Sequence, residues 1–268
     1  DGIRDIGVTG VQTCALPISN AKGWAPGDMP AYAAAVRPLA MLGDYSTSPS
    51  DNAASVFLQA LAAQGVSVRD VGRTSAAFDA PVVARTGNTL ARAIRLMFSV
   101  SENNIAEVLF RQVALANGFQ ASWIGSGQAA VKVLTSLGVT TTGLRLQDGS
   151  GLSAKDRVPA TVLTKVLSLS VNGDDTRIAP LVNWLPVAGE SGTLTYRFAA
   201  PPASCARGEV SAKTGSITGV NTLAGVTRGP AGEWRAFAVM VNHRPEAYPN
   251  FSTSFAVDTV AATVHGCT

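Results

Sequence analysis

Residues 209–242 read EVSAKTGSITGVNTLAGVTRGPAGEWRAFAVMVN, and this stretch decides the fold. Glu209–Thr214, Asn221–Arg228 and Trp234–Asn242 alternate apolar and polar residues, the period that turns one side of a strand to a core. Gly229–Gly232 supplies the turn between the last two, so the spacing predicts an antiparallel meander. Upstream the period changes. Thr89–Phe98 predicts a helix leading into Ser101, and a second helix follows with Ile105, Val108, Leu109 and Val113 on one face, stopped at Asn117–Gly118. Gly127–Leu137 reads as a helix ended by Gly138. Pro159 suits the first position of a helix carrying Val162, Leu163, Val166 and Leu167. Ser252–His265 reads as a final helix. Nearer the start, Ser50 or Asp51 caps a helix with Ala53, Val56, Phe57, Ala60 and Leu61 at helical spacing, ended by Gly65, and Val66–Val71 is a short strand candidate. Helices in the middle and antiparallel strands at the end indicate an α/β sandwich rather than a doubly wound nucleotide fold.

Composition narrows the function classes. The 268 residues carry a formal charge of +3, too weak a field for a nucleic-acid binder, and 46% are hydrophobic, enough for a packed core. No apolar run approaches the roughly 18 residues that span a bilayer. The three cysteines, Cys14, Cys205 and Cys267, form no C-x-x-C pair, so a zinc ribbon or thioredoxin-type site is excluded. The sequence holds no GxxxxGK[ST], GxGxxG after a strand, HExxH or GxSxG. Its two histidines, His243 and His265, have no ligand-type neighbours and read as ordinary surface residues, which leaves a Ser-His-Asp triad little support. No metal or organic cofactor is implied.

What remains is lysine and serine chemistry. Lys213-Thr214-Gly215-Ser216 would set an ammonium, two hydroxyls and a close-approach glycine beside a groove. The hydroxyls of Thr214 and Ser216 suit a substrate carboxylate, and Gly215 leaves room for a backbone to approach. Arg85-Thr86-Gly87 shows how cheaply such a tripeptide arises. Ser101-Glu102-Asn103 opens a helix and fits S-x-N, a hydroxyl that relays a proton and an amide that holds a carbonyl; the simpler reading of Ser101 is an N-cap.

S-x-N followed by KTG resembles the penicillin-recognising serine enzymes. The flanks narrow the resemblance to the three-domain D-alanyl-D-alanine carboxypeptidase/endopeptidases, the class C low-molecular-mass penicillin-binding proteins. SENNIAEVLFRQVA (101–114) resembles their SDN-x-x-AE-x-L-x-R helix, and LQDGSGLSAKDRV (146–158) their DGSGLS segment. LPVAGESGTLTYRF (185–198) resembles PVAG-x-x-GTL-x-x-RF, and AKTGSITGVNTLAGVT (212–227) the KTG strand and its neighbour. GWAPGDMPAYAAAV (23–36) is similar to the end of their inserted region. Five segments in order outweigh the cap-only reading of Ser101. The resemblance implies a penicillin-binding-protein/β-lactamase-like transpeptidase fold, an incomplete one here, with an antiparallel sheet flanked by helices.

The family's nucleophile lies in an S-x-x-K near its N-terminus, before the insertion. Ser19-Asn20-Ala21-Lys22 is the only S-x-x-K in this chain, it falls after most of the insertion would have passed, and it is read as a chance match. Without that nucleophilic serine and its lysine this chain is expected to be inactive. By resemblance, the S-x-x-K lysine and Ser101 shuttle the proton, Asn103 holds the substrate backbone and Lys213 gives electrostatic support. Thr214 and Ser216 bind the terminal carboxylate, the Ser216 amide is one oxyanion donor, and Asp148 and Ser150 shape a tight turn. The expected partners are peptidoglycan D-Ala-D-Ala peptides, with β-lactams as covalent inhibitors of the intact enzyme and no nucleic acid, in a periplasmic or other extracytoplasmic, secreted location. Two rivals stand beside this reading: a β-lactamase, and a non-catalytic wall-binding or scaffolding protein.

Residues Asp1–Ile18 show no periodicity and no signal-peptide pattern. Val8–Ile18 back-translates into a sequence resembling a common short-read sequencing adapter, and Asp1–Asp5 into the preceding part of it, with Ile6 and Gly7 as the barcode. The expected division is therefore 1–18 adapter-derived, 19–45 the end of the inserted region and a connector, and 46–268 the C-terminal part of the transpeptidase-like domain. Amplifying the source locus tests this, because genomic adapter-like bases would refute it. Setting residues 1–18 aside removes Cys14 and leaves Cys205 and Cys267 to pair, as suits an exported enzyme, tying the C-terminal tail to the segment before the KTG strand.

Overall fold

A computed structural model describes residues 21–37, 40–68, 89–173, 175–245, 247 and 249–268. Along the chain lie α1 (Asp28–Ala31), α2 (Pro49–Ala63), α3 (Leu90–Val100), α4 (Asn103–Ala116), α5 (Trp123–Ser136) and α6 (Ala160–Asn172). The strands β1 (Ser211–Ile217), β2 (Val220–Arg228) and β3 (Trp234–Val241) and the helix α7 (Asn250–His265) follow. The expected segment at 1–18, together with Ser19, Asn20 and Arg85–Gly87, lies outside the described residues.

The meander forms as its alternation requires. The sheet order is β1-β2-β3, antiparallel throughout, with Lys213 opposite Ala224 and Ala224 opposite Ala238. Leu223, Phe237, Val239 and Val241 turn to one face, where Val257, Ala261 and Ala262 of α7 cover them. Ala224, Val226, Trp234 and Ala236 turn to the other, against Leu167 and Val171 of α6. The sheet is thus sandwiched between α6 and α7, and β1 is its edge. The first half of that edge is covered: the Ala212 amide donates to the Pro186 carbonyl, and Val187 bridges to Ser211. From Lys213 onward the edge faces a cleft.

Cys205 and Cys267 form a disulfide with Cα atoms 6.2 Å apart, joining the end of α7 to the short 3-10 turn Ala203–Ala206 ahead of β1. His265 is half-buried and works structurally, contrary to its reading as a surface residue. Its Nδ1 lies 3.0 Å from Thr227 Oγ1 and 2.8 Å from the Arg228 carbonyl, fastening α7 to β2.

Three expectations are corrected. In α4 the buried residues are Glu107, Arg111 and Ala114, whereas Val113 is exposed; the apolar stripe at Ile105, Val108, Leu109 and Val113 is not the inward face. The α2 stripe forms a helix ending near Gly65 as spaced, but Val56 and Phe57 are exposed. Residues 66–68 of the Val66–Val71 strand candidate carry no strand, and the rest of it lies outside the described residues.

Candidate active site

α3 ends and α4 begins within three residues, and that corner builds one wall of the cleft. Ser101 terminates α3 in the left-handed region, at φ 59° and ψ 50°, a conformation that is uncommon for a residue with a side chain and gathers at functional corners. The residue that caps α4 is Glu102, whose carboxylate accepts from the Ile105 amide at 2.7 Å. Ser101 therefore closes α3 and is not the N-cap of α4, and its hydroxyl is left to face the strand wall. The second Glu102 oxygen accepts from the Tyr45 hydroxyl at 2.6 Å; burial first, and the carboxylate next, push the Tyr45 phenol up to about 12. Asn103 Nδ2 donates to the Tyr32 carbonyl at 2.8 Å and Asn104 Oδ1 accepts from the Ala34 amide at 2.7 Å, so the helix start grips the incoming segment 32–34.

The strand wall answers it. Lys213 Nζ donates to Ser101 Oγ at 2.8 Å and to the Thr214 carbonyl at 2.7 Å. Burial lowers the Lys213 ammonium to about 8, which brings its proton within reach of neutral chemistry. On the opposite face of β1, Thr214 Oγ1 meets Thr193 Oγ1 at 2.9 Å and Ser216 Oγ meets the Asn250 side chain. Gly215 serves the sheet: a Cβ there would lie 2.4 Å from Thr222 Oγ1 on β2. Gly215 also lines the cleft.

The floor is the Gly149–Gly151 turn, held by buried ions. Glu107 is fully buried, and its Oε1 accepts from the Gly149 and Ser150 amides at 3.0 and 2.9 Å while its Oε2 meets Arg111 at 3.0 Å. A Cβ on Gly149 would collide with Phe110 and the Ala106 carbonyl, so the turn rests directly on α4. Asp148 accepts from Trp24 Nε1 at 2.5 Å and from the Gly151 and Ser153 amides at 2.8 Å each. The Arg111 guanidinium lies 3.9 Å from the Trp123 ring centre. Burial, then the neighbouring Asp148, pushes Asp156 up to about 8 and raises Glu107 as well.

The three walls enclose about 730 Å³, lined by Ser101, Asn103, Lys213, Thr214, Gly215 and Ser216 among others. The geometry thus unites the six residues named for catalysis and substrate binding. Lys22 stands apart. It is exposed, and its carbonyl accepts from Ser153 Oγ at 2.7 Å. Thr193, Asn250, Tyr45 and Glu107 escaped the reading of the sequence as site residues. Thr193 and Glu107 lie inside segments already singled out, whereas nothing around Asn250 or Tyr45 marks them before the fold is known. No cluster of metal-ligating side chains occurs among the described residues.

Comparison with known proteins places this arrangement. The model of a family described as D-Ala-D-Ala carboxypeptidase 3 (S13) matches residues 3–263. A carboxypeptidase DacB of Mycolicibacterium smegmatis is 37% identical over 196 residues, covering 70% of this chain and 42% of the relative. Carboxypeptidase Rv3627c of Mycobacterium tuberculosis is 32% identical over 282 aligned positions, covering 99% of this chain and 60% of the relative. The chain spans about half the length of these relatives. Penicillin binding protein 4 of Haemophilus influenzae, solved in complex with a β-lactam, superposes with a TM-score of 0.64 at 26% identity, over 82% of this chain and 52% of the other. The TLA-3 extended-spectrum β-lactamase matches at a TM-score of 0.50 and 16% identity, a likeness of fold.

Proposed function

Because this chain belongs to the D-Ala-D-Ala carboxypeptidase 3 (S13) family, we propose that it carries the Ser101–Asn103–Lys213 half of a serine-type D-Ala-D-Ala carboxypeptidase/endopeptidase site acting on peptidoglycan stem peptides. One observation carries the reading: Lys213 Nζ reaches Ser101 Oγ across the cleft at 2.8 Å, joining the two motifs from residues 112 positions apart.

The polarity of that contact supports the proposed roles. An ammonium can only donate, so Ser101 Oγ accepts from Lys213 and its own proton is free to be given away. In the proposed reaction the nucleophilic serine of an upstream S-x-x-K segment attacks the D-Ala-D-Ala carbonyl, forming an O–C bond while the C–N bond to the terminal D-alanine breaks. The serine proton passes to the departing amine through the S-x-x-K lysine and Ser101. Water then adds to the acyl-enzyme and returns the serine. Lys213 stabilises the negative charge that builds on Ser101 and on the substrate. Asn103 holds the substrate backbone, the Ser216 amide supplies one oxyanion donor, and the Thr214 and Ser216 hydroxyls take the terminal carboxylate. A protein acting in this way on wall peptides would work outside the cytoplasm, in the periplasm or the secreted fraction. No helix among the described residues is long and apolar enough to cross a membrane.

Fluorescent penicillin tests the reading. The 268-residue chain, whose only S-x-x-K has an exposed lysine, is expected to stay unlabelled, and a chain extended with an upstream S-x-x-K segment is expected to label stoichiometrically. Ser101→Ala and Lys213→Ala in the extended chain should each cut the labelling rate at least about a hundredfold, as loss of a general acid–base group does. A label on Ser19 would overturn the assignment. Fast nitrocefin turnover by the extended chain would favour a β-lactamase, and an extended chain that never labels would favour a wall-binding protein without catalysis.

A further inference from the structure

A hydroxyl that binds an anion has to give it the proton, so its oxygen must be satisfied from another side. Ser216 stands opposite Asn221 across the β1–β2 pairing, and both reach one residue, Asn250, the first of α7. Asn221 is 2% exposed, and its Nδ2 donates to Asn250 Oδ1 at 2.5 Å and to Ser254 Oγ at 3.4 Å. With Oδ1 engaged, Asn250 turns its Nδ2 to Ser216 Oγ at 3.1 Å. The opposite polarity, Ser216 donating to Asn250 Oδ1, is longer at 3.4 Å and competes for an oxygen that Asn221 already holds. Thr214 differs, because its partner Thr193 is itself a hydroxyl that can donate or accept and so fixes no direction.

We propose that Asn250, locked by Asn221, is a positioning residue that donates to Ser216 Oγ and so turns the Ser216 proton toward the substrate carboxylate. Asn250 lines the same cleft as Lys213. The inference rests on the reading of β1 as the carboxylate site and adds the device that presets it. An aspartate at 250 has the same shape and inverts the polarity: it can only accept, so it would draw the Ser216 proton away and set a like charge beside the anion.

The test titrates the full chain with N-acetyl-D-alanyl-D-alanine and with its C-terminal amide, followed by NMR. The wild type should prefer the acid. Asn250→Asp should weaken the acid at least about tenfold, the scale of a hydrogen bond to a charged group, and leave the amide within about twofold. Asn250→Ala should fall between the two. A wild type without acid preference refutes the carboxylate reading. A wild type that prefers the acid, beside an Asn250→Asp that still does, overturns the inference alone. A second readout needs no ligand: in ¹⁵N-labelled protein, Ser216→Ala and Asn221→Leu should each shift the Asn250 side-chain amide signal. An unmoved signal in Ser216→Ala overturns the relay even where Asn250→Asp fails to fold.

Discussion

The two walls of the cleft are made of different materials. The strand wall rests on an apolar core in which Leu194, Phe198, Val210, Leu223 and Val257 are at most 1% exposed, closed by the Cys205–Cys267 disulfide. The helix wall and floor rest on Glu107, Arg111 and Asp148, none more than 3% exposed, with Trp24 and Trp123 packed edge to face at 5.9 Å. Apolar packing is indifferent to direction and to pH. Buried carboxylates are neither: they hold named amides at set distances, and they respond to protons. The wall that carries Lys213 is thereby stiff by volume, and the floor it faces is aimed by hydrogen bonds. The difference teaches that a catalytic cleft can divide the two tasks between opposite sides, leaving bulk support to one and the placing of backbone amides to the other.

Breaking the helix wall should have the larger effect. Glu107→Ala strands the Arg111 guanidinium in the core and removes the acceptor of the Gly149 and Ser150 amides, so it should cost about 4 kcal/mol in urea unfolding. The pair Glu107→Leu with Arg111→Met should regain part of this, because neither member of the ion pair is then left without the other, and not all, because the two amides stay orphaned. A single substitution costing less than about 1 kcal/mol would mean the ions are not the frame claimed here. On the strand wall, Leu223→Ala should cost about 3 kcal/mol through a cavity between β2 and α7, with the same loss at pH 5 and pH 8. A loss that changes with pH there would blur the distinction between the walls.

The same contrast explains what could be read in advance. Period-two alternation in 209–242 reports which side of a strand meets apolar neighbours, and the meander, its turn and the covering helix α7 follow from it. The helix wall defeats periodicity because its inward residues are charged. In α4 the spacing favours Ile105, Val108, Leu109 and Val113, yet Glu107 and Arg111 go inside, since the two pair within a turn and Glu107 also accepts from an amide in a loop 42 residues away. Ser101 was legible through its motif, while its left-handed backbone was not, because Glu102 takes over the cap. Lys213, Thr214 and Ser216 were legible as a cluster in sequence. Asn250 and Thr193 come from chain positions 34 and 21 residues distant, and only the packing of α7 and of the 185–198 segment brings them there.

A pH dependence is the most selective test between the walls. Asp156 is half-buried, with its carboxyl hydrogen-bonded to Asp148, and it holds its proton up to about 8 against an ordinary value of 3.8. The folded state therefore binds this proton more tightly than the unfolded chain, and the sign follows: stability from this group is whole below about pH 4, falls as pH rises while only the unfolded chain ionises, and levels out above about 8. Glu107, also raised, adds a slope of the same sign. Lys213, lowered to about 8 from 10.5, acts with the opposite sign and only above pH 8, where the folded state sheds its proton first and stability recovers as pH rises. Asp156→Asn should then flatten the decline in melting temperature between pH 4 and pH 8 and leave the rise above pH 8 in place, whereas Lys213→Met should do the reverse. The Gln147 amide, which donates to Asp156 at 2.6 Å, reports the same titration by NMR without unfolding the protein. A Gln147 amide shift with its midpoint near 4 would show Asp156 to be an ordinary carboxylate, and the proton sensitivity assigned to the floor would have to come from Glu107 alone.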